Sequence, residues 1–117
     1  MNNSALLEYC MSKPGAEQSD HEKWQVNQIK VADVMFAMVG ETEGRPSISL
    51  KTSPELAESL REQHPEIVPS EHLNKAHWNT VFLDGKLPNS QFYSLIDRSY
   101  QLVLQGLPEH RRQELVV

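Results

Sequence analysis

The chain has 117 residues and a mass of 13.4 kDa, the length of one compact domain, and residues 1–117 are read as a single unit. Hydrophobic residues at 38% and charged residues at 23% exclude both a membrane-embedded chain and a disordered one. The 11 Lys and Arg stand against 16 Asp and Glu, so the net charge of −5 argues against a general polyanion binder, whose non-specific affinity comes from clustered cations.

Asn3 to Ser12 reads as a helix: Leu6 with Cys10 and Leu7 with Met11 stand at i, i+4 and make one apolar stripe. Asn3 or Ser4 is expected to cap it, and Pro14-Gly15 to end it. Cys10 is the only cysteine, so no intrachain disulfide or Cys-rich zinc site is available, and its place in the stripe assigns it to packing. The N-terminal residues lack the basic and apolar regions of a signal peptide, and no apolar run approaches the ~20 residues that span a bilayer. A cytoplasmic protein without membrane contact is expected.

From Ala16 to Lys51 the period becomes two. Glu17 to Asp20 suggests a short first strand, and Trp24, Val26, Gln28 and Lys30 alternate with Gln25, Asn27, Ile29 and Val31. Trp24, beside Lys23 in a hairpin, is assigned to edge-strand packing. Ala32-Asp33 is a tight turn, and Val34 to Val39, apolar on both faces, is a central strand. Gly40 to Arg45 reads as a loop. Beyond it Ile48 and Leu50 point one way and Ser47, Ser49 and Lys51 the other, the pattern of a sheet with one wet face.

Thr52-Ser53-Pro54-Glu55 opens a second helix, with either Thr52 or Ser53 as its cap, and His64-Pro65 ends it. Glu66 to Lys75 reads as an extended connection with a short edge strand, His77 to Leu83 as a strand, and Asp84-Gly85 as a turn. Asn89 is expected to cap the last long helix, whose Phe92, Leu95, Ile96, Ser99 and Val103 keep the helical period as far as Gly106 and Pro108. The tail from Glu109 adds one more turn. Strands joined by short turns pair antiparallel, and apolar helix stripes need a sheet to cover. The expected fold is α+β: a two-layer sandwich with helices on one face of an antiparallel sheet, in the order α, three or four strands, α, one or two strands, α.

Catalytic and cofactor patterns are missing. The five glycines make neither phosphate-binding motif, and there is no H-E-x-x-H. His64, His72 and His77 have no Cys or acidic partner at ligand spacing. Ser49, Ser53 and Ser99 fall in a strand, a cap and a helix rather than a strained nucleophile turn. No enzyme activity, metal or cofactor is expected.

The densest polar stretch is His72-Leu73-Asn74-Lys75-Ala76-His77-Trp78-Asn79. Such a mix of imidazole, amide, ammonium and indole suits a base and a phosphate. The plainer reading is a core Trp78 with Asn74 and Asn79 satisfying backbone groups and a solvated Lys75.

With Leu50-Lys51-Thr52-Ser53-Pro54-Glu55-Leu56 before it and Thr80-Val81 after it, this stretch resembles the MmcQ/YjbR family. Lys13-Pro14-Gly15-Ala16, Met35-Phe36-Ala37-Met38 and Asp97-Arg98-Ser99-Tyr100 extend the resemblance over nearly the whole chain. It implies a layout similar to type III secretion chaperones and frataxin-like (CyaY-like) proteins. It also implies DNA binding through a "double-wing" motif, here the hairpin around Lys30 to Val39 and the loop Gly40 to Arg45 leading to Lys51. The candidate nucleic-acid contacts are Lys30, Arg45, Lys51, Asn74, Lys75, His77, Trp78, Asn79 and Lys86, and the cations among them must converge on one face. Many family members carry a Lys before the central Phe-Ala, where this chain has Val34-Met35. The alternative is a protein-interaction or chaperone-like module with an acidic surface. A frataxin-like iron role would need an acidic first helix, and between Asn3 and Ser12 only Glu8 is acidic.

Overall fold

The computed structural model describes residues 1–21 and 26–115. The expectations for Lys23 and Trp24 lie outside the described residues. Helix α1 (Asn3–Met11) leads into strands β1 (Ala16–His21), β2 (Val26–Val31), β3 (Val34–Thr42) and β4 (Arg45–Lys51). Helix α2 (Pro54–Gln63), strands β5 (Ile67–Pro69) and β6 (Trp78–Phe82), and helices α3 (Asn89–Gln105) and α4 (Glu109–Gln113) follow. The six strands form one sheet in the order β1-β2-β3-β4-β6-β5, with every neighbouring pair antiparallel. Among the described residues, no helix is long and apolar enough to cross a membrane.

One face of the sheet carries the helices. Ile29, Val31, Ala37, Val39, Ile48, Leu50 and Val81 form a single buried cluster with Leu6 and Cys10 of α1, Leu60 of α2, and Phe92, Leu95, Ile96, Tyr100 and Val103 of α3. Burial pushes the Cys10 thiol up to about 12, so it is a packing group and not a ready nucleophile.

Local chemistry sets the boundaries. Ser53 caps α2, its Oγ accepting from Leu56 N at 3.3 Å, with Pro54 in the first turn where no N–H is needed. Two other caps differ from expectation. Asn2 caps α1 through Ala5 N at 2.8 Å, because the Asn3 amide is used on the carbonyl of Gly40. Pro88 stands at the start of α3 and no side chain caps it. The expected Gly40–Arg45 loop shrinks to Glu43-Gly44: Gly40, Glu41 and Thr42 pair with Ser47, Pro46 and Arg45, and positive φ values of 55° and 77° close the turn. Ala32 and Asp33 turn likewise at φ 50° and 67°.

Between β2 and β3 the register slips. Ile29 faces Ala37 but Lys30 faces Met35, so Phe36 is an extra residue on β3. Phe36 and Ala37 are both fully buried, and the Phe36 ring meets Tyr100 edge-on at 5.2 Å. The Ser99 hydroxyl, 0% exposed, donates to the Phe36 carbonyl at 2.6 Å and accepts from Lys51 N at 2.9 Å, joining β3 to β4 where their own ladder stops. Nearby, Tyr100 OH donates to the Pro14 carbonyl at 2.6 Å and Tyr9 OH to Asp97 Oδ1 at 2.8 Å. Lys13 pairs with Asp97 and lies 4.8 Å from the Tyr9 ring centre. The Lys-Pro-Gly and Asp-Arg-Ser-Tyr segments thus fasten α1 and α3 to the sheet.

Candidate functional site

Among the described residues, the other face of the sheet bears no helix. Strand alternation brings Val26, Gln28 and Lys30 of β2 to it, with Met38, Gly40 and Thr42 of β3 and Ser47, Ser49 and Lys51 of β4. Trp78, Thr80 and Phe82 of β6 complete it, opposite Lys51, Ser49 and Ser47. This face was expected to be wet, yet Ser47, Ser49 and Thr80 are 4, 4 and 3% exposed. Ser70, Glu71, His72 and Lys75, between β5 and β6, line the same cavity as the sheet, and Ser70 is 2% exposed. Asn74 shapes this connection: its Oδ1 accepts from Ala76 N at 3.0 Å and its carbonyl from Trp78 N at 2.9 Å. From α2, Arg61 donates to the Lys75 carbonyl at 3.2 Å.

The cavity so formed measures about 540 Å³. Its floor is a set of hydroxyls. Thr80 Oγ1 lies 3.0 Å from both Ser49 Oγ and Ser70 Oγ, and Thr42 Oγ1 lies 2.8 Å from Ser47 Oγ. Each hydroxyl carries one proton. Five protons serve three such contacts, so two donors and several lone pairs stay available for a guest. Val26, Met38, Val68 and Phe82 supply apolar wall, and Glu41, Glu43, Glu71, His72 and Lys75 supply charged or titratable groups at its edge.

The sequence candidates divide by position. Lys30 and Lys51 sit at the same end of the open face, Lys30 opposite Met35 and Lys51 opposite Trp78. Two strand spacings of ~4.8 Å separate their strands. Lys75 comes from the connection entering β6 at that end and lines the cavity. No ion pair joins these three lysines to a carboxylate among the described residues. Arg45 and Lys86 lie at the other end, beside Thr42 and beyond Phe82. Arg45 grips Asp84 through two hydrogen bonds of 2.9 and 2.6 Å and lies 3.8 Å above the Phe82 ring. That hydrogen bonding raises the arginine pKa and holds the Asp84 carboxyl below the usual range.

The remaining candidates are engaged in the fold. Trp78 is 8% exposed, which leaves its ring inside the domain. Asn79 Nδ2 donates to the Ala57 carbonyl of α2 at 3.0 Å, and its Oδ1 is buried without a partner among the described residues. His77 Nδ1 is 3.2 Å from the Thr52 carbonyl. The cations therefore do not form one cluster: Lys30, Lys51 and Lys75 are brought together, Arg45 and Lys86 are not. Sequence reasoning missed the hydroxyl floor, because Ser47, Ser49, Ser70 and Thr80 meet only through the β4–β6 register and the return of β5. Among the described residues, no group of three or more His, Cys, Asp or Glu side chains is arranged to hold a metal ion.

Residues 11–102 match the family model YjbR. The chain is 64% identical over 116 residues to the uncharacterized protein YjbR of Escherichia coli K12, covering 99% of this chain and 98% of that one. Among solved structures, a Deinococcus radiodurans protein with the DUF419 domain superposes with a TM-score of 0.84 at 34% identity, covering 97% of this chain and 87% of that one. A protein from Pseudomonas syringae gives a TM-score of 0.75 at 32% identity, covering 87% and 98%.

Proposed function

This chain belongs to the YjbR family, and from that premise we propose that it is a non-catalytic DNA-binding domain working through the helix-free face of its sheet. The observation that carries the reading is the gathering of Lys30, Lys51 and Lys75 at one end of that face with no ion pair to a carboxylate among the described residues, although Glu17 of β1 stands opposite Lys30. Three phosphate contacts make a weak, salt-sensitive binder, with a slope of log K against log salt of about −2 for a single strand and about −3 for duplex. The net charge of −5 works against tighter non-specific binding. A cytoplasmic location goes with this function.

The test is fluorescence anisotropy of a labelled oligonucleotide at low salt. The native chain is expected to bind below ~100 µM, and Lys30→Gln/Lys51→Gln/Lys75→Gln to lose that binding, while Arg45→Gln/Lys86→Gln retains most of it. Absence of binding by the native chain, or equal loss from both variants, overturns the reading. A second reading, docking of a protein partner, is favoured by Glu43 and Glu71 beside the same cavity. It predicts a basic partner, and size-exclusion chromatography showing a 1:1 complex without nucleic acid would select it.

A further inference from the structure

We propose that the hydroxyl-floored cavity receives one unstacked nucleobase, which makes single-stranded DNA the preferred form. The inference rests on the DNA-binding reading for its phosphate contacts, and on the cavity for the base. A volume of about 540 Å³ falls within the ~300–1,000 Å³ of small-molecule sites. A base paired inside a duplex offers only its groove edge and enters no such cavity unless extruded. A single strand offers whole bases beside its phosphates.

The lining matches the two surfaces of a base. Met38, Val68 and Phe82 provide apolar contact for its faces. Ser49, Ser70 and Thr80 are each nine-tenths buried or more, and the spare donors of the hydroxyl floor suit ring nitrogens and carbonyl oxygens. At the edge, the carboxylates of Glu43 and Glu71 accept from exocyclic amino groups and repel a bare carbonyl edge. Cytosine and adenine are therefore favoured over thymine. Lys75 lines the same cavity, and Lys51 stands two residue pairs beyond Ser49 and Thr80 on the same face, so a strand whose base enters has its neighbouring phosphates near two ammonium groups.

Two measurements separate this inference from the reading beneath it. The first compares oligo(dC), oligo(dT) and a mixed-sequence duplex by anisotropy. The single strand of dC is expected to bind about tenfold tighter than duplex and severalfold tighter than dT. Glu43→Gln/Glu71→Gln, confined to exposed side chains, is expected to erase the dC preference, so that dC and dT bind alike. The second measures saturation transfer from the protein to free cytidine, which has no phosphate, up to ~10 mM. Cytidine is expected to receive signal from the native chain and much less from Thr80→Val, with native-like melting as the check on folding. If duplex and single strand bind alike and cytidine gets no signal, the base pocket is overturned and the DNA reading stands. If no DNA binds but cytidine does, the cavity is a base site and the DNA reading fails. If neither binds, both fall.

Discussion

Replacing Ser99 by Ala removes one oxygen and leaves one buried and one part-buried backbone group without a partner among the described residues. The Phe36 carbonyl loses the donor at 2.6 Å, and Lys51 N loses the acceptor at 2.9 Å. Each stranded group costs about 1–3 kcal/mol, so the pair costs about 2–6 kcal/mol. Alanine's better helix propensity returns about 0.5 kcal/mol. A net loss of about 1.5–5.5 kcal/mol is a large part of the ~5–15 kcal/mol that holds a domain together. At roughly 4 °C per kcal/mol it lowers Tm by about 6–22 °C. Urea unfolding followed by far-ultraviolet circular dichroism measures it, with Ser94→Ala on an exposed position of the same helix as control. The control gains the same propensity and should stay within ~0.5 kcal/mol of the native chain. A Ser99→Ala midpoint as close to native as the control's would refute the argument that this hydroxyl replaces a missing rung between β3 and β4.

Stability should also fall in alkali. The hydrogen bond to Asp97, helped by burial, raises the Tyr9 phenol. Burial pulls the Lys13 ammonium down, but its hydrogen bond and charge interaction with Asp97 outweigh this and leave it raised. Groups raised on folding contribute stability that is whole below their unfolded values, near ~10 for both, and lost as pH climbs through the folded ones. Urea midpoints should therefore drop above pH ~10, and Asp97→Asn should flatten that drop; parallel profiles for the two proteins would contradict the assignment. At the β2–β3 turn, Ala32 holds φ 50°, a conformation glycine adopts freely. Ala32→Gly should raise stability by about 0.5–1 kcal/mol in the same urea assay, and a destabilised variant would show that the methyl group contributes more than the strain.

Much of the architecture was legible because local and periodic signals agreed. Ser53-Pro54 marks α2, and the alternation of β4 with the i, i+4 stripe of α3 marks the two layers. The boundaries that moved were decided by tertiary contacts: Asn3 is drawn to Gly40, and Gly40 to Thr42 find partners on β4, which composition alone reads as a loop. At the candidate site the sequence marked the stretch from His72 to Asn79 as a polar cluster, but neighbours along a strand point to opposite faces. Asn79 therefore meets α2 while Thr80, one residue on, meets Ser49 and Ser70. The hydroxyl floor was invisible because its members come from four segments and become neighbours only through the strand order.

The central claim is that the helix-free face is where DNA is held. It is tested most directly by mapping backbone amide chemical shifts while a short single strand is added. Shifts should concentrate at Lys30, Lys51 and Lys75 and at Ser49 and Thr80, two residue pairs in from Lys51 on the same face. Shifts confined to the helix layer, at Arg98, Gln101 and Gln105 of α3 or at Leu56 of α2, would contradict it.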